Sequence, residues 1–253
     1  LRSFNKSKRI LNSNKIITKS GLYNKAVKNL YKNYNFVKKN KYPYITGKLA
    51  CSSNFYILKN NNFITNVYSR NVSHLLRYRN QGILTSYKTI NSDNPKLNCR
   101  LNGMEKYSPI RLILDMNLKI DMTSYVLNNS KNLKTFIFHN SKNYKKISKL
   151  KKTGVKLIHL EAESDGYINL KKLFKKIYHL GVHNLLVECG KKLTQKILSE
   201  KLFNEFYIFK SNRILNNKGK INVLNINKNL RNVFKYQKYV NTYLDKDKLI
   251  HYY

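Results

Sequence analysis

Short apolar runs alternate with stretches of helical periodicity through the second half of the chain. "IRLILD" (110–115), "KTFIFH" (134–139), "VKLIHL" (155–160), Leu185–Val187 and "EFYIFK" (205–210) read as buried strands. Between them, "NYKKISKLKKTG" (143–154) reads as a helix closed by Gly154. "NLKKLFKKIYHLG" (169–181) carries Leu170, Leu173, Phe174, Ile177 and Leu180 on one stripe, with Gly181 as its C-cap. Leu193, Ile197 and Leu198 then fall at helical spacing. The order β, β, α, β, α, β, α, β predicts an α/β domain: a largely parallel sheet with helices on both faces. "NVFKYQKYVNTYL" (232–244) and "KLIHYY" (248–253) predict two antiparallel strands at the sheet edge.

The first half reads in the same way. Val27, Leu30, Tyr31 and Tyr34 predict an amphipathic helix over 22–39. Pro43 opens a strand, "YPYITGKLAC" (42–51), with Lys48 inside it. "SRNVSHLLRYRNQ" (69–81) is a helix striped by Val72, Leu75, Leu76 and Arg79. "GILTS" (82–86) is a strand, and "SDNPKL" (92–97) is a turn because Asn before Pro disfavours helix.

Composition narrows the class. At 253 residues and 42% apolar, the chain can bury a core, and no apolar run reaches the ~18 residues of a membrane helix. Its net charge is +38, and no Asp or Glu precedes Asp93. Such charge suits a nucleic-acid partner. Yet Lys is spread along the chain beside abundant Asn, Ile and Tyr, which fits compositional bias better than a binding patch. A basic nucleic-acid-binding module, favoured slightly by the Lys-interleaved aromatics of 232–244, is the alternative from another class. Three distant cysteines, Cys51, Cys99 and Cys189, form no disulfide framework, which fits a reducing, cytoplasmic setting. No metal-ligand spacing occurs among the six histidines; His74 and His183 read as packed or surface residues. The basic, acid-free opening of residues 1–20 fits a transit peptide or the tail of a preceding domain.

In open parallel sheets, ligands bind at the carboxyl ends of strands. "VECGKKL" (187–193) stands at such an end. Gly190 allows close backbone approach, and the helix starting near Lys191 offers free N–H groups and a positive dipole to an anion. Lys191 and Lys192 add charge. Glu188 either caps that helix or faces the pocket. Asp93 has the same ambiguity in its turn. Arg77 and Arg100 are candidates for a phosphate, as guanidinium binds it bidentately.

Several segments then occur in order: "KYPYITGKLACSS", "FITNVYSRNVSHLLRYRNQGILTSYKTINSDNPKLNCR", "PIRLILD" and "DGYINLKKLFKKIYHLGVHNLLVECGKKL". Over about residues 41–210 they resemble the reductase domain of bacterial riboflavin biosynthesis, the 5-amino-6-(5-phosphoribosylamino)uracil reductase family. The family motifs are R-P-Y-V-x-x-K-x-A-x-S-L-D-G, W-I-T, V-H-x-L-R, T-V-x-x-D-D-P-x-L-x-x-R and L-L-V-E-G-G-x-x-L. The resemblance implies a dihydrofolate-reductase-like fold, NADPH as cofactor, a phosphoribosylaminopyrimidine substrate and a homodimer. It also implies roles. Lys48 and Glu188 face the substrate and assist proton movement, and Arg77, Leu97 and Arg100 bind it. Ala50, Ser52, Phe63, Thr89 and Asp93 contact the cofactor, whose pyrophosphate the loop Gly190, Lys191, Lys192 and Leu193 cradles. A related reductase of another pterin or pyrimidine is the second enzyme reading. "KRILNSNKIITKSGLYNKAVKNLYKNYNF" resembles the family's junction with its zinc deaminase domain. That favours 1–40 as a linker remnant and 41–253 as the reductase domain, with a deaminase upstream; the deaminase's own H-x-E and P-C-x-x-C signature is absent here. Three departures stand out: "SSNF" replaces S-L-D-G, Phe63 replaces Trp, and Cys189 replaces the first loop glycine.

Overall fold

A computed structural model describes residues 4–19, 21–57, 63–163, 168–216 and 221–253. The chain divides into two compact units, Leu1–Asn40 and Lys41–Tyr253. The first holds α1 (Phe4–Ser13), α2 (Asn24–Leu30) and α3 (Lys32–Asn40). The single helix expected over 22–39 is therefore two, interrupted at Tyr31, whose backbone leaves helical geometry at φ −91° and ψ 7°.

The second unit runs β1 (Tyr44–Cys51), β2 (Tyr56–Ile57), α4 (Val67–Arg79), β3 (Gly82–Ser86), α5 (Tyr87–Asp93), a 3₁₀ turn (Glu105–Tyr107), β4 (Ile110–Leu114), α6 (Tyr125–Asn128), β5 (Thr135–His139), α7 (Tyr144–Lys152) and β6 (Lys156–His159). It continues with α8 (Leu170–His179), β7 (Asn184–Val187), α9 (Lys191–Ser199), β8 (Glu205–Lys210), β9 (Ile221–Asn222), α10 (Leu224–Val233), β10 (Gln237–Tyr239) and β11 (Lys248–Tyr252). Nine strands form one sheet in the order β10-β11-β8-β1-β7-β3-β4-β5-β6. The seven from β8 to β6 are parallel, while β11 and β10 add antiparallel at one edge. This is the α/β architecture that the run pattern predicts.

The strands read as unbroken apolar runs because both faces are covered. Leu84, Leu112, Phe136, Phe138, Leu185 and Val187 point into a core shared with Leu173, Phe174 and Ile177 of α8, Ile197 of α9 and Leu230 of α10. The alternate positions Ile83, Ile113, Ile137 and Leu186 meet Leu76 of α4, Ile90 of α5, Val126 and Leu127 of α6, and Leu150 of α7. One close approach depends on glycine. A Cβ at Gly47 would lie 2.1 Å from the Phe206 ring, so only glycine lets β1 sit beside β8 with that ring packed against it.

Periodicity predicts neither α5 nor α10. The tail segment 232–244 supplies only the short β10, because Asn232 and Val233 complete α10. Among the described residues no helix is long and apolar enough to cross a membrane.

Candidate active site

The pairing of β1 with β7 matches Gly47 to Val187, which sets Lys48 level with Glu188, the residue that follows β7. Alternation turns both side chains to the α4 face. There Arg77, from the last turn of α4, meets them. The Arg77 guanidinium clasps the carboxylate with two bonds: Nε donates to Oε1 at 2.8 Å and Nη2 to Oε2 at 2.9 Å. The Lys48 ammonium stands 3.5 Å from Oε2 and lies over the Phe209 ring. Glu188 therefore does not cap α9; Gly190 occupies the N-cap position.

Electrostatics assigns the protonation states. Burial alone would raise the Glu188 pKa, but the charges and hydrogen bonds of Arg77 and Lys48 override it and hold the carboxyl at about 2. Burial lowers the Lys48 pKa; the Glu188 charge opposes this and the Arg77 charge adds to it, for a net decrease. Glu188 is thus a fixed anion, and Lys48 is the group in the cluster whose proton is loosened.

These residues lie in an open cleft of about 560 Å³. Of the residues singled out in the sequence, Lys48, Ala50, Phe63, Arg77, Thr89, Asp93, Leu97, Arg100, Glu188 and Gly190 line it. Arg77 is engaged with Glu188 and, through Nη1, with the Asn98 carbonyl at 3.2 Å, rather than extended toward solvent. Arg100 is exposed, with Nη1 donating to Asn98 Oδ1 at 2.9 Å. Leu97 is buried in the core and has a positive φ of 49°. Phe63 is exposed at the rim, its ring 4.5 Å from the Arg70 guanidinium. Asp93 ends α5 and accepts from Ser92.

Ser52, Lys191, Lys192 and Leu193 stand apart from the cleft lining. Ser52 is fully buried; its hydroxyl donates to Asn54 Oδ1 and accepts from the Tyr56 amide. Lys191 and Lys192 open α9, and Leu193 packs its side chain against the core. The "SSNF" departure still forms a turn. Phe55 N–H donates to the Ser52 carbonyl at 3.1 Å, and Phe55 takes the left-handed conformation (φ 61°) that glycine adopts more readily.

Gly190 has ordinary extended backbone, φ −70° and ψ 171°. Among the described residues, a Cβ there would meet only the Thr89 hydroxyl, at 4.0 Å. Neither strain nor packing requires glycine at this position. The space it leaves opens into the cleft, beside a helix N-terminus without a side-chain cap, and fits a phosphate held by backbone N–H groups.

Sequence reasoning missed a cleft role for His74, which lines the pocket one turn before Arg77. Burial, then the Arg77 and Arg100 charges, lower its pKa to about 4, so it is neutral near pH 7. Its position on α4, three residues before Arg77, is the signal that could have found it. Ser69, Arg70 and Ser73 of the same helix also line the cleft.

The chain matches the family model described as the RibD C-terminal domain over residues 47–223. It is 31% identical over 181 residues to the riboflavin biosynthesis protein RibD of Aquifex aeolicus, covering 68% of this chain and 47% of that protein. It is 24% identical over 169 residues to the 5-amino-6-(5-phosphoribosylamino)uracil reductase of Buchnera aphidicola, covering 62% of this chain and 78% of that one. The chain spans about half the length of the RibD relatives from Aquifex and Bacillus amyloliquefaciens. Acinetobacter baumannii RibD shares the fold with a TM-score of 0.74 at 20% identity, covering 98% of this chain and 68% of its own. By sequence and by fold, the chain belongs to the RibD C-terminal domain family.

Proposed function

We propose that this protein is an NADPH-dependent reductase that converts the ribosyl group of 5-amino-6-(5-phosphoribosylamino)uracil to the ribityl group. The observation that carries this reading is the Lys48–Glu188–Arg77 cluster on the wall of a cleft that also contains the uncapped start of α9. When bound, NADPH supplies the hydride that reduces C1 of the opened sugar. Gly190 and the first N–H groups of α9 would hold its pyrophosphate, with Lys191 and Lys192 adding charge, and Thr89, Asp93, Ala50 and Phe63 would contact it.

The protein's own groups bind, orient and move protons. Glu188, ionised throughout, accepts hydrogen bonds from the sugar hydroxyls. Arg77 fixes that carboxylate. Lys48 gives a proton to the ring oxygen as the sugar opens and is recharged from solvent. Arg100, exposed at the cleft, meets the substrate phosphate. Leu97 contacts the substrate through its backbone. The alternative of a related pyrimidine or pterin reductase keeps this cluster and changes only the base.

The remaining proposals extend this reading to what the family resemblance implies. Residues 1–40 are the junction to a zinc deaminase domain, the protein acts as a homodimer, and it works in the cytoplasm. Turnover measured as NADPH consumption with the phosphoribosylaminopyrimidine tests the reading. Binding of NADPH with turnover is expected; a folded chain that neither binds NADPH nor reduces the sugar overturns it.

A further inference from the structure

Beneath the Asp93–Leu97 segment lies a charge that the cleft chemistry does not use. Arg111, on β4, is fully buried. A buried guanidinium is costly unless it is paired and fully hydrogen-bonded. Among the described residues no carboxylate pairs with Arg111; burial lowers its pKa to about 10, and the Tyr125 phenol, whose ring centre lies 5.7 Å away, is the group that opposes this. Among the described residues, its Nε and Nη1 have no hydrogen-bond partner. Its polar contacts run through Nη2, which donates to the Lys96 carbonyl at 2.8 Å and to Asn129 Oδ1 at 3.2 Å.

Lys96 belongs to a segment that needs holding. Asn94 and Leu97 both have positive φ, 40° and 49°, and neither is glycine. Such strain persists only where surrounding contacts over-determine it. Three ties do so here. The Tyr125 amide donates to Asn94 Oδ1 at 2.7 Å, Leu97 is buried in the core, and Arg111 grips the carbonyl between them. One residue further on, the Asn98 carbonyl accepts from Arg77. The strained segment is thereby joined to the charged cluster.

We propose that Arg111 is a positioning residue, retained to fix the Asp93–Leu97 rim of the cleft through the Lys96 carbonyl rather than to stabilise the fold. Its effect on turnover rests on the reductase reading; its effect on the segment does not. In the full chain, Arg111→Met keeps the side-chain volume and removes an uncompensated buried cation. The melting temperature stays near wild type, because relief from burying the cation offsets the cost of leaving the Lys96 carbonyl and Asn129 Oδ1 without a donor. Arg111→Lys keeps the charge on an unforked head.

Amide hydrogen exchange over residues 93–98 becomes roughly ten-fold faster in Arg111→Met, with β4 and β5 unchanged. Arg111→Lys falls between it and wild type. KM for the pyrimidine rises roughly ten-fold while kcat stays within about two-fold, the signature of substrate binding lost equally from ground state and transition state when the rim is no longer held. If the wild-type chain lacks reductase activity, the functional reading falls, and exchange alone still decides the role of Arg111. Unchanged exchange at 93–98 in both variants, or exchange that accelerates equally across the sheet, overturns the proposal. Should Arg111→Met not fold, the same exchange criterion applied to Arg111→Lys decides.

Discussion

Arg77 and Glu188 are 111 residues apart in sequence and joined by two parallel hydrogen bonds of 2.8 and 2.9 Å. The fork geometry fits one carboxylate and leaves little of the guanidinium for anything else. Lys48 then shares the same carboxylate from the neighbouring strand. Glu188→Gln should cut reductase turnover by ~10²-fold or more, the scale of lost electrostatic and positioning assistance from a fixed charge. It also leaves two buried cations facing a neutral amide and should cost about 3 kcal/mol in stability. Lys48→Ala should cut turnover by a similar ~10²-fold but destabilise less, because the Arg77–Glu188 pair survives intact. Steady-state kinetics with urea unfolding separates the two effects. Near-normal turnover in both variants would remove the cluster from the mechanism.

The same cluster sets two steps in the stability of the fold against pH. Glu188 falls from its ordinary 4.5 to about 2 in the folded protein. Its contribution is therefore full above pH 4.5 and is lost as pH falls toward 2. His74 falls from 6.5 to about 4. The unfolded chain takes up that proton first, so acidification from pH 6.5 to 4 favours unfolding. Urea midpoints measured from pH 7 down to 2 should show both declines. His74→Gln should flatten the upper one and leave the lower, and Glu188→Gln should do the reverse. A flat profile between pH 6.5 and 4 in the wild type would contradict the buried neutral imidazole.

The sheet was legible because its strands are covered on both faces, so Leu112-Ile113 and Leu185-Leu186-Val187 appear as apolar runs whichever way they point. The helices α8 and α9 were legible from their stripes. α10 was not, since asparagine and lysine fill its "LNINKNLRNV" and only Ile226 and Leu230 mark the buried side. α5 was hidden by its seven-residue length and its polar sequence. Lys48, Glu188 and Gly190 could be singled out from strand-end logic and family resemblance. The clasp of Arg77 on Glu188 could not, because the sequence alone offers no sign of which of many cations a scarce carboxylate will meet. Arg111 was hidden for a similar reason: "IRLILD" reads as a buried strand, but only the fold shows that its arginine is buried with it and which groups it meets.

The charge of +38 tests the alternative reading. Aromatics with lysines over their rings do occur at the β10 edge, where Lys238 lies over Tyr253 and Lys248 over Tyr239. If the charge is compositional, RNA and DNA binding will be sequence-independent and will weaken steeply between low and physiological salt. Titration of a labelled oligonucleotide at several salt concentrations measures this. Tight binding to one defined RNA at physiological salt would instead favour a nucleic-acid role.

Gly190 and Gly47 make a controlled comparison. At Gly47 a side chain collides with Phe206 at 2.1 Å, so Gly47→Ala should destabilise the protein by about 3 kcal/mol, the upper range for overpacking a filled core. At Gly190 the described residues offer no obstacle: the backbone is extended and their nearest atom to an added Cβ is the Thr89 hydroxyl at 4.0 Å. Gly190→Val should therefore fold with a melting temperature near wild type. What a valine there would obstruct is a phosphate approaching the first N–H groups of α9. NADPH affinity should fall at least ~10-fold through that lost approach, while affinity for the pyrimidine, on the Lys48 and Glu188 side, stays within about two-fold. Calorimetric titration of each ligand measures both constants on the same folded sample. Unchanged NADPH affinity in Gly190→Val would mean that the cofactor pyrophosphate does not lie on this turn.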